Sequence, residues 1–225
     1  MMTRTILRPA LLAGLALAVA LGGCDASSRQ RRTPTDFTSL AQQQGEARQA
    51  ALGAAETAAR ADAARERGRT AEADKLAGQA VEQYRAALSI SGDMPEAWNN
   101  MGIQLMHLKD YLAASEAFTF AMQQSPTDPR PCENLGIVYD RTGWSEESLK
   151  YFDMALDRSP NYLPALRGAI KAAHLLSEAS EKRLEQVRRA LMIETDPAMR
   201  DFFEREQLRI SGRLDQDAQR RPSRR

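Results

Sequence analysis

Cysteine is nearly missing from this 225-residue chain, which has only Cys24 and Cys132. Its fold must therefore be held by packing, with no disulfide framework. Histidine is as scarce: His107 and His174 lie far apart, so the clustered ligand set that a metal site needs is lacking, and no metal or cofactor is expected. The chain has no Gly-x-Ser-x-Gly elbow, Ser-x-x-Lys, His-Glu-x-x-His or phosphate-binding Gly-Lys loop. The paired acids Glu146 and Glu147 stand where a helix begins, a place the helix dipole favours without any catalysis. Cys132 falls at an inferred core position, not in the accessible, electropositive setting of a reactive thiol. No catalytic residue is identified and no enzyme is expected. An excess of charge of one sign is missing too: 31 basic residues face 30 acidic ones, which gives no global pull toward nucleic acid. Long hydrophobic runs are also absent. The best one, Pro9 to Leu21, falls short of the roughly 20 apolar residues that a spanning helix needs.

That short run has instructive flanks. Arg4 and Arg8 give it a positive start, and it ends in Leu21-Gly22-Gly23-Cys24 before the chain turns abruptly polar. Positive start, short apolar middle and small residues at the end are the pattern of a secretory signal peptide. The segment resembles bacterial lipoprotein precursors, whose lipobox joins a Leu and two small residues to a lipidated Cys. The resemblance implies that residues 1–23 are removed and that Cys24, carrying acyl chains such as palmitate, becomes the first residue of a membrane-anchored protein. Two or more chains give stable attachment where one holds only marginally. It further implies a place in the bacterial cell envelope, facing the periplasm. Asp25 resembles an inner-membrane retention signal of enteric bacteria, and the choice between inner and outer membrane stays open. Residues 24–36 are polar and aperiodic, which predicts a flexible tether.

The rest of the chain repeats itself. At one fixed offset Asn100 falls on Asn134, Gly102 on Gly136, Ile103 on Ile137 and Phe118 on Phe152. Ala121 with Ala155 and Pro126 with Pro160 complete the match. Apolar residues recur at steps of three and four, so both halves of each unit are predicted to be helical. Gly102 and Gly136 permit close approach of the paired helix, Ala114, Ala121 and Ala155 offer it a small surface, and Trp98 and Phe118 fill the space, with Tyr139 and Phe152 among the matching residues of the next unit. Pro126 and Pro160 end the second helix of each unit, since proline cannot continue the hydrogen-bond ladder. These residues resemble the tetratricopeptide repeat (TPR), a helix–turn–helix of about 34 residues. The expected fold is an all-α solenoid of antiparallel helix pairs. Its repeats span residues 70–194, with clear units at about 95–128 and 129–162 and degenerate units on either side.

The flanks are weaker. Ala80, Tyr84 and Ala87 stand one repeat length before Ala114, Phe118 and Ala121, while downstream Ile170 stands where Gly is expected. Residues 37–69 read as a long Ala-rich helix, with Ala47, Ala51, Ala54, Ala58 and Ala61 forming a narrow seam. It either lies on the solenoid or makes an Ala-lined antiparallel or dimeric contact. Asp196-Pro197 opens a capping helix over 195–210, with Met199, Phe202, Phe203 and Ile210 on one face. Residues 211–225 lack core-forming side chains and read as a disordered basic tail.

In the repeat family the first helix of each unit lines a concave groove. The resemblance places Asn99, Ile103, Met106 and His107 there, then Arg130, Glu133, Ile137, Asp140 and Arg141, and finally Arg167, Lys171 and His174. Ile103 and Ile137 would make an apolar stripe between polar edges, suited to a partner peptide or helix; alternatively this face packs on the N-terminal helix. The family's carboxylate clamp is not expected, because Ile103 takes its Asn place and Glu96 and Pro164 replace basic residues. The function this implies is a protein-binding adaptor or assembly scaffold. A self-associating envelope subunit that uses the Ala-rich helix is the alternative.

Overall fold

The computed structural model describes residues 34–220. The signal peptide, Cys24 and residues 24–33 of the expected tether lie outside them, as do residues 221–225. Among the described residues there are nine helices and no strand. They are α1 (Pro34–Glu66), α2 (Thr70–Ile90), α3 (Pro95–His107), α4 (Tyr111–Gln124), α5 (Arg130–Arg141), α6 (Ser145–Arg158), α7 (Leu163–Leu175), α8 (Glu181–Ile193) and α9 (Pro197–Arg220). No helix among them is long and apolar enough to cross a membrane.

Four hairpins, α1/α2, α3/α4, α5/α6 and α7/α8, close through the same turn. Gly68, Lys109, Gly143 and Ser177 each adopt a positive φ just past the first helix. The next residue's N–H then bonds back into the last helical turn, Arg69 to Ala64, Asp110 to Leu105, Trp144 to Tyr139 and Glu178 to Ala173, each at 2.9 Å. This is the helix-ending pattern in which a left-handed residue satisfies the orphan carbonyls. Lys109 and Ser177 hold that conformation without being glycine, so the turn is set by its place in the hairpin as well as by residue type.

Within α3/α4 and α5/α6 the packing device is a ring laid in a notch. A Cβ on Gly102 would meet the Phe118 ring at 2.6 Å, and one on Gly136 would meet Phe152 at 2.8 Å. Phe152 is also pinned from the next hairpin, because a Cβ on Gly168 of α7 would stand 2.4 Å from it. Ala114, Ala121 and Ala155 are fully buried around these rings. Helices α4 and α6 stop at Gln124 and Arg158, just before Pro126 and Pro160. Trp98 and Tyr139 are only half-buried. Trp98 stacks on Phe120 (ring centroids 4.7 Å apart) and Tyr139 on Tyr151 (5.2 Å), so they seal hairpin surfaces and leave the core centre to the phenylalanines.

The terminal hairpins depart from this. In α1/α2 alanine packs on alanine: Ala47, Ala54, Ala61, Ala73, Ala77 and Ala80 are fully buried. The Ala-rich helix is thus the first arm of a hairpin that extends the solenoid, and it begins at Pro34, inside the stretch expected as tether. In α7/α8 the second helix starts late relative to the spacing of α4 and α6. It carries no aromatic residue, and Ile170 is buried in place of the glycine. Ions join α6 to α8 instead: Asp153 accepts from Arg183 Nη2 (2.7 Å), Gln186 (2.9 Å) and Lys182 (2.8 Å). Burial opposes ionisation of Asp153, but these donors hold its carboxyl below the usual range.

The C-terminal helix corrects an expectation. Residues 211–220 continue α9 as helix and are not a disordered tail. Phe203 and Ile210 are buried as expected, and Leu214, one turn further on, packs against the same core. A single apolar residue at the right spacing extends the stripe, which a search for a hydrophobic cluster overlooks. Asp196 caps the helix, accepting from Met199 N at 2.9 Å.

Candidate functional site

The odd-numbered helices pack on one another in sequence, α1 on α3, α3 on α5, α5 on α7 and α7 on α9. Among the described residues the backbones of α2, α4, α6 and α8 do not approach one another in this way, and α6 reaches α8 through the side chain of Asp153. The odd helices are therefore crowded and the even ones splayed, and the superhelix curves with its odd-helix face on the inside. Helix α1 flanks α3 as the first strip of that face and leaves α5 and α7 uncovered by it.

Most residues assigned to the groove come together here. Ile103 and Ile137 are half-buried, each packed at the rim of the core. Met106 and His107 are half-buried, and Asp140, Arg141 and Lys171 are exposed. His107 Nε2 stands 3.8 Å from Asp62 on α1. Burial, aided by Arg65, lowers its pKa below the ordinary histidine value. Arg130 folds back on Asp128, its Nη2 2.8 Å from Oδ2.

Two assignments change role. Asn99 does not face the groove: it is buried, and its Oδ1 accepts from Asn134 Nδ2 at 2.9 Å, joining α3 to α5. The helix turns it one step too far inward, into the seam between consecutive odd helices. Arg167 is spent on structure, gripping both carboxylate oxygens of buried Glu194 at 2.7 and 2.6 Å. That grip, with the backbone N–H groups of Asp196 and Thr195, lowers the Glu194 pKa to about 2 despite its burial. His174 is similarly engaged, its Nδ1 2.8 Å from Glu206 on α9.

Glu133 is the most perturbed group of the face. Burial raises its pKa to about 7, and a hydrogen bond from Tyr162 only partly offsets this. Tyr162 in turn is pushed up to about 12 by burial and by the Glu133 charge. Cys132, next to Glu133 in sequence, is fully buried, and burial raises its thiol pKa. No group of three His, Cys, Asp or Glu side chains able to hold a metal occurs among the described residues.

Beside Ile103, residues that the sequence does not mark as a site line the space between α1 and α3. A cavity of about 480 Å³ is lined by Arg48, Leu52, Met94, Glu96 and Asn100. A second, of about 190 Å³, is lined by Ala55, Ala59, Asp62, Ile103 and Gln104. They share Ala55, Tyr84 and Asn100. The signal in the sequence is slight, because an alanine-rich helix does not mark which face of the solenoid it joins.

The notched glycines, the shared turn and the curved stack decide the fold. Residues 129–162 match the tetratricopeptide repeat. A 32% identity over 89 residues relates the chain to the photosystem I assembly protein Ycf3 of Prochlorococcus marinus (strain MIT 9211), covering 35% of this chain and 51% of that one. The Ycf3 protein of Synechococcus sp. (strain CC9605) is 29% identical over 100 residues, 40% of this chain and 58% of that one. The chain thus spans about half the length of the curated relatives it matches. The crystal structure of MamA protein superposes with a TM-score of 0.47 at 16% identity, over 61% of this chain and 92% of that chain. The architecture is an all-α solenoid of the tetratricopeptide type, and the two cavities sit where its first repeat meets the Ala-rich hairpin.

Proposed function

We propose that this protein is an adaptor or assembly scaffold that binds a partner protein on its odd-helix face, held at the bacterial cell envelope by lipid on Cys24. The observation that carries the reading is the pair Ile103 and Ile137. They stand one repeat apart on adjacent helices of the inner face, half-buried between charged edges, which is an apolar strip fit for a partner segment. The curated relatives are named for assembly, and the repeat supplies a binding surface. The anchor rests on the lipobox-like sequence around Cys24. Self-association through the Ala-rich seam fits less well, because α2 already covers it.

The test is crosslinked capture from membranes with the wild-type chain and with Ile103→Glu/Ile137→Glu. Loss of the captured partner by the folded double variant supports the reading, and unchanged capture sinks it. Cys24→Ser separates the anchor from the groove: the variant should leave the detergent-extracted membrane fraction, and normal membrane extraction would refute lipidation.

A further inference from the structure

Asn99, Glu133 and Arg167 stand one repeat length apart, at the same place in three successive hairpins. Each reaches toward the next unit of the stack. Asn99 accepts from Asn134 of α5 at 2.9 Å. Arg167 grips buried Glu194, just ahead of α9, at 2.7 and 2.6 Å. Glu133 takes a hydrogen bond from Tyr162, just ahead of α7. A neutral amide pair thus closes the first junction and a full ion pair the third, while the second gives a carboxyl one phenol and no cation. The fold spends elsewhere the bases that could answer it. Arg130, three residues before Glu133, closes on Asp128 Oδ2 through Nε (3.0 Å) and Nη2 (2.8 Å). Arg158 donates through Nη1 to the Asp128 carbonyl at 2.9 Å, and Arg167 is held by Glu194. A carboxylate only accepts, and one hydroxyl leaves most of its lone pairs unmet. Glu133 is half-buried, not enclosed. It lies one helical turn before Ile137 on the same side of α5, so it borders the apolar strip.

We propose that Glu133 is the specificity-determining contact of the odd-helix face and takes an arginine or lysine of the partner segment, beside the apolar side chain that lies on Ile137 and Ile103. The third junction shows what completes such a group in this chain: the Glu194 carboxylate is met by a guanidinium. A charge taken from water needs a partner of opposite sign. Lacking one, Glu133 holds its proton up to about pH 7. The surrounding charge favours the same occupant. Arg130 and Asp128 cancel each other, and Glu96 of α3, close to Arg130, adds a second acid. Glu116, the one charged residue of α4, lies away from this face, beside the cavity between α2 and α4. The inference rests on the protein-binding reading and names what the partner brings to it: a basic residue next to an apolar anchor.

The experiment uses the full chain in detergent micelles as bait for a random displayed peptide library. Arginine or lysine should be enriched at one position beside an apolar residue. In the best peptide that residue is exchanged for its neutral counterpart, citrulline for arginine or norleucine for lysine. The exchange should weaken binding to wild type by about ten- to a hundredfold, the worth of a hydrogen bond between charged groups. It should leave binding to Glu133→Gln unchanged. Glu133→Lys should reverse the preference and select glutamate at that position. Glu133→Gln should also melt no lower than wild type at pH 8, where it removes an unpaired charge; a drop would mean that the carboxylate serves the fold, and would overturn the proposal. An equal loss on neutralising the peptide in wild type and Glu133→Gln, or basic enrichment that survives Glu133→Lys, overturns it as well. Selected peptides that show no basic preference but lose binding on Ile137→Glu overturn the cation contact and leave the groove reading standing. If no peptide is selected, both fall.

Discussion

The first hairpin and the two that follow reach the same shape by different chemistry. In α3/α4 and α5/α6 a phenylalanine ring lies in a glycine notch, and a large share of the packing is concentrated in one side chain. In α1/α2 the contact is spread over a ladder of alanines on both helices, each adding about one methyl group of burial. A ring in a notch is sensitive at a point, whereas an alanine seam is sensitive only in aggregate. The glycines divide in the same way. Those at 102, 136 and 168 leave room for rings, while a Cβ on Gly53 or Gly78 would meet nothing within 4 Å.

The largest break in this comparison should come from Phe152→Ala. Phe152 is packed between Gly136 and Gly168 and buried, so its loss should cost roughly 3–5 kcal/mol of folding stability. Denaturant melts would measure the loss, and hydrogen exchange should place it in α5–α7. A variant within about 1 kcal/mol of wild type, the size of an average substitution, would mean that the ring is not the keystone of that junction.

A smaller effect, and one that changes sign between the two regions, should follow from glycine-to-alanine exchange. Gly168→Ala should destabilise by about 1–3 kcal/mol through overpacking against Phe152. Gly78→Ala, with open space around it, should stabilise by about 0.5–1 kcal/mol through helix propensity. Paired thermal melts decide the point, and the same sign for both would erase the distinction drawn between the hairpins.

A pH dependence should also arise in the repeat region. Glu133 ionises at about 7 when folded, against an ordinary carboxylate value of 4.5. Between those two values the folded chain holds a proton that the unfolded chain has released, so this group favours folding at low pH and loses that contribution as pH rises through 7. The wild-type melting temperature should therefore fall between pH 5 and 8 more than that of Glu133→Gln. Parallel curves would show that Glu133 is not perturbed in the folded protein.

The parts of the fold visible in the sequence were those that concentrate their packing in unusual residues. Gly102 and Phe118 recur one repeat later as Gly136 and Phe152, which made the central hairpins legible. The first hairpin left no such mark, because alanine is common and its seam needs a partner helix that is equally plain. The turns at Lys109 and Ser177 were hidden for the opposite reason: their positive φ is imposed on residues that do not advertise it. Leu214 was one residue rather than a cluster. In the site, Ile103 and Ile137 were readable from the repeat, while Asn99 was misplaced because a short polar residue on that face can point outward or bond to the next helix. Tyr84 was readable as the counterpart of Phe118, but the lack of a partner among the described residues for its hydroxyl and for the Gln104 carbonyl was not, since hydrogen-bond satisfaction is a property of three-dimensional surroundings.

One feature of the stack also governs how it yields to force. The odd helices are bound along their row, while the even helices, apart from the Asp153 bridge from α6 to α8, are joined to the stack through their own hairpins and the next odd helix. Bending therefore costs little when it spreads the outer row and much when it parts the inner one. The molecule is in effect a leaf spring, stiff along its inner edge and compliant along its outer edge. A change of curvature therefore needs no helix to unwind and no backbone hydrogen bond to be exchanged.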